Sequence, residues 1–170
     1  MKKSEKTRMH PSVKHLFLRI PKNRKNIEEF CRAHNEVSTT RGAVWVGVTG
    51  ASLSAHRQRE LTQQINANVK TYLYVAQMVK RGGVFVAYKS KISDIVSSRS
   101  SVDLELLPAY YPQDDIITLA RFWIKINLFE KIGSGLFQSL RVAQSGKRAA
   151  DVLRRSMLSR MFVSEAEQQR

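Results

Sequence analysis

The chain has 170 residues, 42% of them hydrophobic, which is enough to bury a core without disulfide or metal staples and argues against a disordered protein. Its 29 Lys and Arg face 14 Asp and Glu, a formal charge of +15, so the compact state repels itself unless an anion is usually near; nucleic acid is the first candidate and a membrane surface the next. One cysteine, Cys31, rules out an internal disulfide and a cysteine-based zinc cluster, and the four histidines show no i,i+4 pair, so no metal site and no cofactor is expected.

Residues 1–12 read as a basic, disordered arm. No secretory apolar region and no run of about 18 apolar residues follows, so the expected location is cytoplasmic or nuclear, not secreted, with no membrane span. "VKHLFLRI" (13–20), closed by Pro21, predicts a strand, and "KNRK" a loop. Asn26 is placed to cap a helix over 27–37 whose buried face carries Ile27, Phe30, Cys31 and His34. His34 there reads as a packed core residue and Cys31 as a structural one.

Val44–Val48 predicts a strand running into "TGAS". That turn opens like a dinucleotide-binding loop, but Ser54 and His56 stand where further glycines would let the backbone approach a pyrophosphate. The "QSGKR" segment fails as a phosphate loop in the same way, with Arg141 and Arg148 at the required glycine and hydroxyl positions.

Leu61, Ile65, Val69, Tyr72, Ala76 and Val79 recur at three- and four-residue steps, which predicts one helix over 55–80, ended by Arg81-Gly82-Gly83. "VFVAY" (84–88) is a strand, "SSRSS" (97–101) a polar turn, "VDLELL" a further strand, "PAYYPQDD" a loop and Ile116–Ile126 one long strand. Ser145 is placed to cap a last helix over 146–157. The expected organisation is one α+β domain over 13–166 with a polar tail at 167–170, its five or six strands interleaved with helices.

Five stretches in this order resemble the PUA-like superfamily, and within it the EVE and YTH-type domains that hold a modified or flipped base: "KHLFLRI", the Trp-bearing "VWVGVTG", "KRGGVFVAYKSK", "ARFWIKINLFEKI" and "SGKRAADVLRRSMLSRMFVSEAE". The resemblance implies a small, mixed, mostly antiparallel β-barrel flanked by helices, with a pocket at its mouth. By position it implies Trp45 and Thr49 at one wall, Tyr88 and Ser90 at another, and Ser156 closing the site.

The residues themselves supply phosphate-binding candidates. Lys89 and Lys91 flank Tyr88 in alternation, Arg99 lies in the polar turn, and Lys147, Arg148, Arg154, Arg155 and Arg160 crowd the last segment around the single acid Asp151. Cations interleaved with aromatics suit an unstacked base, whose ring stacks while the cations hold its phosphates. Each has a plainer reading: Trp45 and Trp123 as core, Lys89 and Lys91 as a solvated edge, Arg154 and Arg155 as complements to a helix C-terminus. The function expected is nucleic-acid binding, RNA or DNA, within a larger protein complex or alone. The alternatives are a structural or assembly protein held to RNA by charge, or a small nuclease or RNA-modifying component. For the last, Asp114-Asp115 is the one acidic pair placed to bind a divalent ion, because adjacent Glu28 and Glu29 point apart on a helix.

Overall fold

The computed structural model describes residues 12–21, 25–80, 83–113, 116–156 and 159–165. The basic arm except for Ser12, the polar tail, Arg81-Gly82, Asp114-Asp115 and Met157 lie outside them.

The chain is a mixed α+β structure built on β1 (His15–Arg19), α1 (Ile27–Arg41), β2 (Val44–Val48), α2 (Ala55–Asn66), β3 (Tyr72–Lys80), β4 (Val84–Val96), α3 (Ile116–Leu119), β5 (Phe122–Ile126), β6 (Glu130–Ile132), α4 (Ser134–Ser139), β7 (Arg141–Val142), α5 (Ala149–Arg155) and β8 (Arg160–Ser164). The strands pair in the order β2-β5-β4-β3-β1-β8-β7, with β6 added to β4. Only β1 and β3 run parallel; every other pairing is antiparallel.

Strand alternation explains why β1 and β3 are continuous apolar runs: both of their faces are covered. Leu16, Leu18, Leu73 and Val75 face a core closed by Ile27 and Cys31 of α1 and Leu61 of α2. Phe17, Tyr74 and Ala76 face the opposite core, closed by Phe137 of α4 and Ala149, Ala150 and Leu153 of α5. A third cluster, Trp45, Trp123, Tyr111, Val102 and Leu107, lies under the 97–120 segment.

Several expectations are corrected. The helix expected over 55–80 ends at Asn66, and Asn68 takes φ 58°, a left-handed conformation that Asn tolerates. Residues 72–80 then form β3, because a central position between β1 and β4 satisfies a β-branched and aromatic segment on both edges. The apparent helical spacing of Val69, Tyr72, Ala76 and Val79 was coincident with that. "VDLELL" is not a strand but a tight 3-10 turn, Leu104–Leu106, started by Asp103, whose carboxylate accepts from Glu105 N at 2.9 Å.

Ile116–Leu119 is a single helical turn rather than the start of β5, and it sets Ile116 and Ile117 together against the tryptophan cluster. The last helix begins at Ala149, not Gly146; Ser145 serves a turn instead, its Oγ accepting from Lys147 N at 3.3 Å. Strands β7 and β8 were not expected, and β4 continues eight residues past Tyr88. The count is therefore eight strands rather than five or six, and the sheet is open: no pairing joins its ends, β2 and β7, among the described residues. The expected closed barrel gives way to a bent sheet. The long β4 pairs with β3 over its first part and with β5 over its last, across an irregularity at Ile92–Asp94.

The helix over 27–37 holds and runs on to Arg41, where Gly42 at φ 88° ends it; Asn26 caps it as expected, its Oδ1 accepting from Glu28 N at 2.8 Å. No helix of the described residues is long and apolar enough to cross a membrane.

Candidate functional site

The ends of β1 and β2, the start of α1 and the 110–116 segment meet around a cavity of about 300 Å³. β1 contributes Leu18, Arg19 and Ile20; β2 contributes Val46, Gly47 and Val48, followed by Thr49 and Gly50. Phe30 of α1, Tyr110, Tyr111 and Ile116 supply apolar walls, and Lys25 and Ser159 complete the rim.

The local sequence makes this shape. β2 ends at Val48, and two residues on, Gly50 turns the chain away with a φ of 92°, a conformation that favours glycine. Gly47 has no room for a side chain: a Cβ there would stand 2.8 Å from Ile116 Cγ2 and 2.8 Å from the Trp123 ring. A residue without a Cβ at this point lets α3 close over β2.

A buried hydrogen-bond chain supports the tyrosine pair. His34 is fully buried, with Nδ1 2.7 Å from the carbonyl oxygen of Phe30 and Nε2 2.7 Å from the Tyr111 hydroxyl. A carbonyl only accepts, so Nδ1 carries the proton and Nε2 accepts from Tyr111. The Tyr111 oxygen in turn accepts a long hydrogen bond from Gly47 N at 3.4 Å. Burial pushes the His34 pKa down to about 4, against the smaller raising effect of the Phe30 carbonyl, with the Lys25 charge lowering it further. Tyr110 packs in a T-shaped contact on Tyr111, centroids 4.9 Å apart, and Lys25 Nζ lies 3.8 Å from the Tyr110 ring centroid.

Two arginines brace the rim. Arg19 donates through Nη1 to the carbonyls of Leu153 (3.0 Å) and Ser156 (2.8 Å), tying the end of β1 to the end of α5. Arg160 donates to the carbonyls of Ala51 (2.7 Å) and Ser52 (3.4 Å) and lies over Phe122, fixing the loop after Gly50.

Of the five residues implied for a pocket, Thr49 alone lines this cavity. Trp45 is 3% exposed in the third cluster, and its Nε1 has no hydrogen-bond partner among the described residues. Tyr88 lines a separate shallow groove with Glu28, Cys31 and Asn35, and burial raises its hydroxyl pKa. Ser90 is buried opposite Leu73, its Oγ also without a partner. Ser156 reaches the site only through its carbonyl on Arg19; its hydroxyl donates to Val152 O at 2.8 Å.

The basic candidates take different contacts. Lys89 Nζ is 4.7 Å from the Tyr72 ring centroid, on the sheet face that carries Tyr74 rather than Tyr88. Lys91, Arg99, Lys147 and Arg155 are exposed, and none of them lines the cavity. Arg148 and Arg154 both pair with Asp151, at 2.9 and 3.1 Å, and Arg154 also donates to Gly83 O at 3.3 Å. Arg160 is a brace rather than an open cation.

Lys25, Arg19, Tyr110 and Tyr111 were missed. The signal for the tyrosines was present: adjacent aromatics in a proline-flanked loop have no helix or strand period to bury them, so they must pack elsewhere. Nothing in the sequence could bring Lys25 to Tyr110. Among the described residues no group of three or more His, Cys, Asp and Glu is arranged to hold a metal ion. No known protein family, curated protein or solved structure matches this chain.

Proposed function

We propose that the chain binds nucleic acid and holds one unstacked base, modified or not, in the cavity between β1, β2 and Tyr110. The observation that carries this reading is the cavity itself. Its volume of about 300 Å³ stands at the low end of ligand sites, room for one compact planar group rather than an extended ligand. Its walls include the rings of Phe30, Tyr110 and Tyr111, and a lysine stands at its mouth. A charge of +15 supplies the long-range attraction for phosphates. The bent, mostly antiparallel sheet, with the cavity at the strand ends, is compatible with the base-holding arrangement of PUA-like domains.

The site to test is Tyr110. Stacking a base on an aromatic ring contributes about 1–3 kcal/mol, so Tyr110→Ala should weaken single-stranded RNA or DNA binding by that amount and leave the salt dependence unchanged. Unchanged affinity in a folded Tyr110→Ala protein would remove the base-holding reading. The second reading, a basic protein held to RNA by charge alone, draws on the burial of Trp45 and on exposed cations that do not line the cavity. It expects Tyr110→Ala to be neutral and Lys147→Ala with Arg155→Ala to weaken all sequences alike.

A further inference from the structure

Lys25 covers the face of the ring on which a base would stack. Its ammonium stands 3.8 Å from the Tyr110 centroid, in direct contact with the π-system. The ring also packs on Tyr111 at 4.9 Å and His34 at 6.4 Å, both T-shaped. Among the described residues the lysine is hydrogen-bonded at its backbone. Buried Gln77 donates through Nε2 to the carbonyls of Pro21 (3.1 Å) and Lys25 (3.3 Å) and accepts from Ile27 N at 3.1 Å, so the start of α1 is fixed while the Lys25 side chain extends from it. No ion pair among the described residues involves Lys25. The neighbouring cations are committed: Arg19 and Arg160 each donate to two backbone carbonyls.

We infer that Lys25 is a displaceable latch, which makes the cavity selective for a base that carries a phosphate over a neutral base or nucleoside. The inference rests on the base-holding reading above. A base entering the cavity takes the ring face from the ammonium. Stacking outweighs a cation–π contact at a partly exposed ring, so the exchange is favourable, but the ejected ammonium loses its partner. A phosphate on the same nucleotide gives it a new one, through a charge-assisted hydrogen bond; a nucleoside gives it none.

The test titrates the full chain, Lys25→Ala and Tyr110→Ala with the four common ribonucleosides, their 3′- and 5′-monophosphates, and a single-stranded RNA pentamer. Lys25 is exposed, so its variant should fold, and a thermal melt matching the parent establishes this. Lys25→Ala should bind nucleosides about 2–5-fold more tightly, the loss of an exposed cation–π contact read as a fold-change. It should bind monophosphates, the pentamer, or both several-fold more weakly. Weakening of the monophosphates points to a free nucleotide as the ligand, and weakening of the pentamer alone to a nucleotide within a chain. Nucleoside affinity that is unchanged or reduced in Lys25→Ala, while Tyr110→Ala weakens binding, overturns the latch and leaves the base-holding reading standing. Indifference of every probe to Tyr110→Ala overturns both.

Discussion

His34 and Gly47 show how single residues set the cavity floor. His34 is neutral because burial has lowered its pKa to about 4, below the ordinary value of 6.5. A lowered folded-state pKa means that the unfolded chain binds the extra proton first, so stability is present above pH 6.5 and is lost as pH falls from 6.5 towards 4. The full loss corresponds to roughly 3 kcal/mol. Urea unfolding at pH 7 and pH 4.5 should show a steeper fall for the parent than for His34→Gln, which keeps a polar group near Tyr111 but cannot titrate. Equal falls would mean that carboxylates such as Glu60, whose pKa Lys14 and Arg57 hold low, account for the whole acid effect. Gly47→Ala is the complementary change in size. Its Cβ would stand 2.8 Å from both Ile116 and the Trp123 ring, and such overpacking should cost about 1–2 kcal/mol in chemical denaturation. Parent-like stability would show that α3 yields easily.

At the scale of elements, the loop after β2 depends on a residue far away in sequence. Arg160 opens β8, yet its guanidinium holds Ala51 and Ser52 and packs on Phe122. A half-exposed, charged donor serving two carbonyls contributes about 1 kcal/mol, so Arg160→Ala should lower the unfolding free energy by that order. It should leave the slope of nucleic-acid affinity against salt unchanged, because the side chain is already used inside the fold. A slope that shrinks by nearly one contact, with stability unaltered, would instead make Arg160 the phosphate ligand that its sequence context suggests. The same distinction applies to Arg148 and Arg154, which share Asp151 at the start and end of α5.

For the whole molecule, charge is the property that no local contact explains. The excess of 15 positive charges is what remains when every acid is set against a Lys or Arg, so no ion pair within the chain can remove it. If about six phosphates are neutralised on binding a single strand, log affinity should fall with log salt at a slope of about −4 to −5. Affinity for polyanions that is flat between low and moderate salt would show that the excess serves solubility alone. Tyr110→Ala should shift that line downward without tilting it, whereas removing exposed cations should tilt it.

The sequence by itself determined the class, mixed α+β, and the elements whose pattern is local: the Asn26-capped α1, β1, β2 and the start of β4. Capping, proline stops and apolar runs act over a few residues, so they can be read from a few residues. It also determined that Cys31 and His34 share the buried face of α1, since a helix of period 3.6 fixes that face whatever packs on it. Only the tertiary structure decided the rest. Residues 72–80 carry both a helical spacing and a strand composition, and the choice fell to β because β1 and β4 stand on either side to complete its hydrogen bonds. Trp45 and Tyr110 are both aromatic, and neither sequence context says which is buried; Trp45 lies under the 97–120 segment, while Tyr110 faces the cavity because that segment folds back over β2. Lys25 meets Tyr110 across 85 positions of chain, a contact made by the packing of α1 and the 110–116 segment on the same strand ends, and no spacing within a sequence encodes such a meeting.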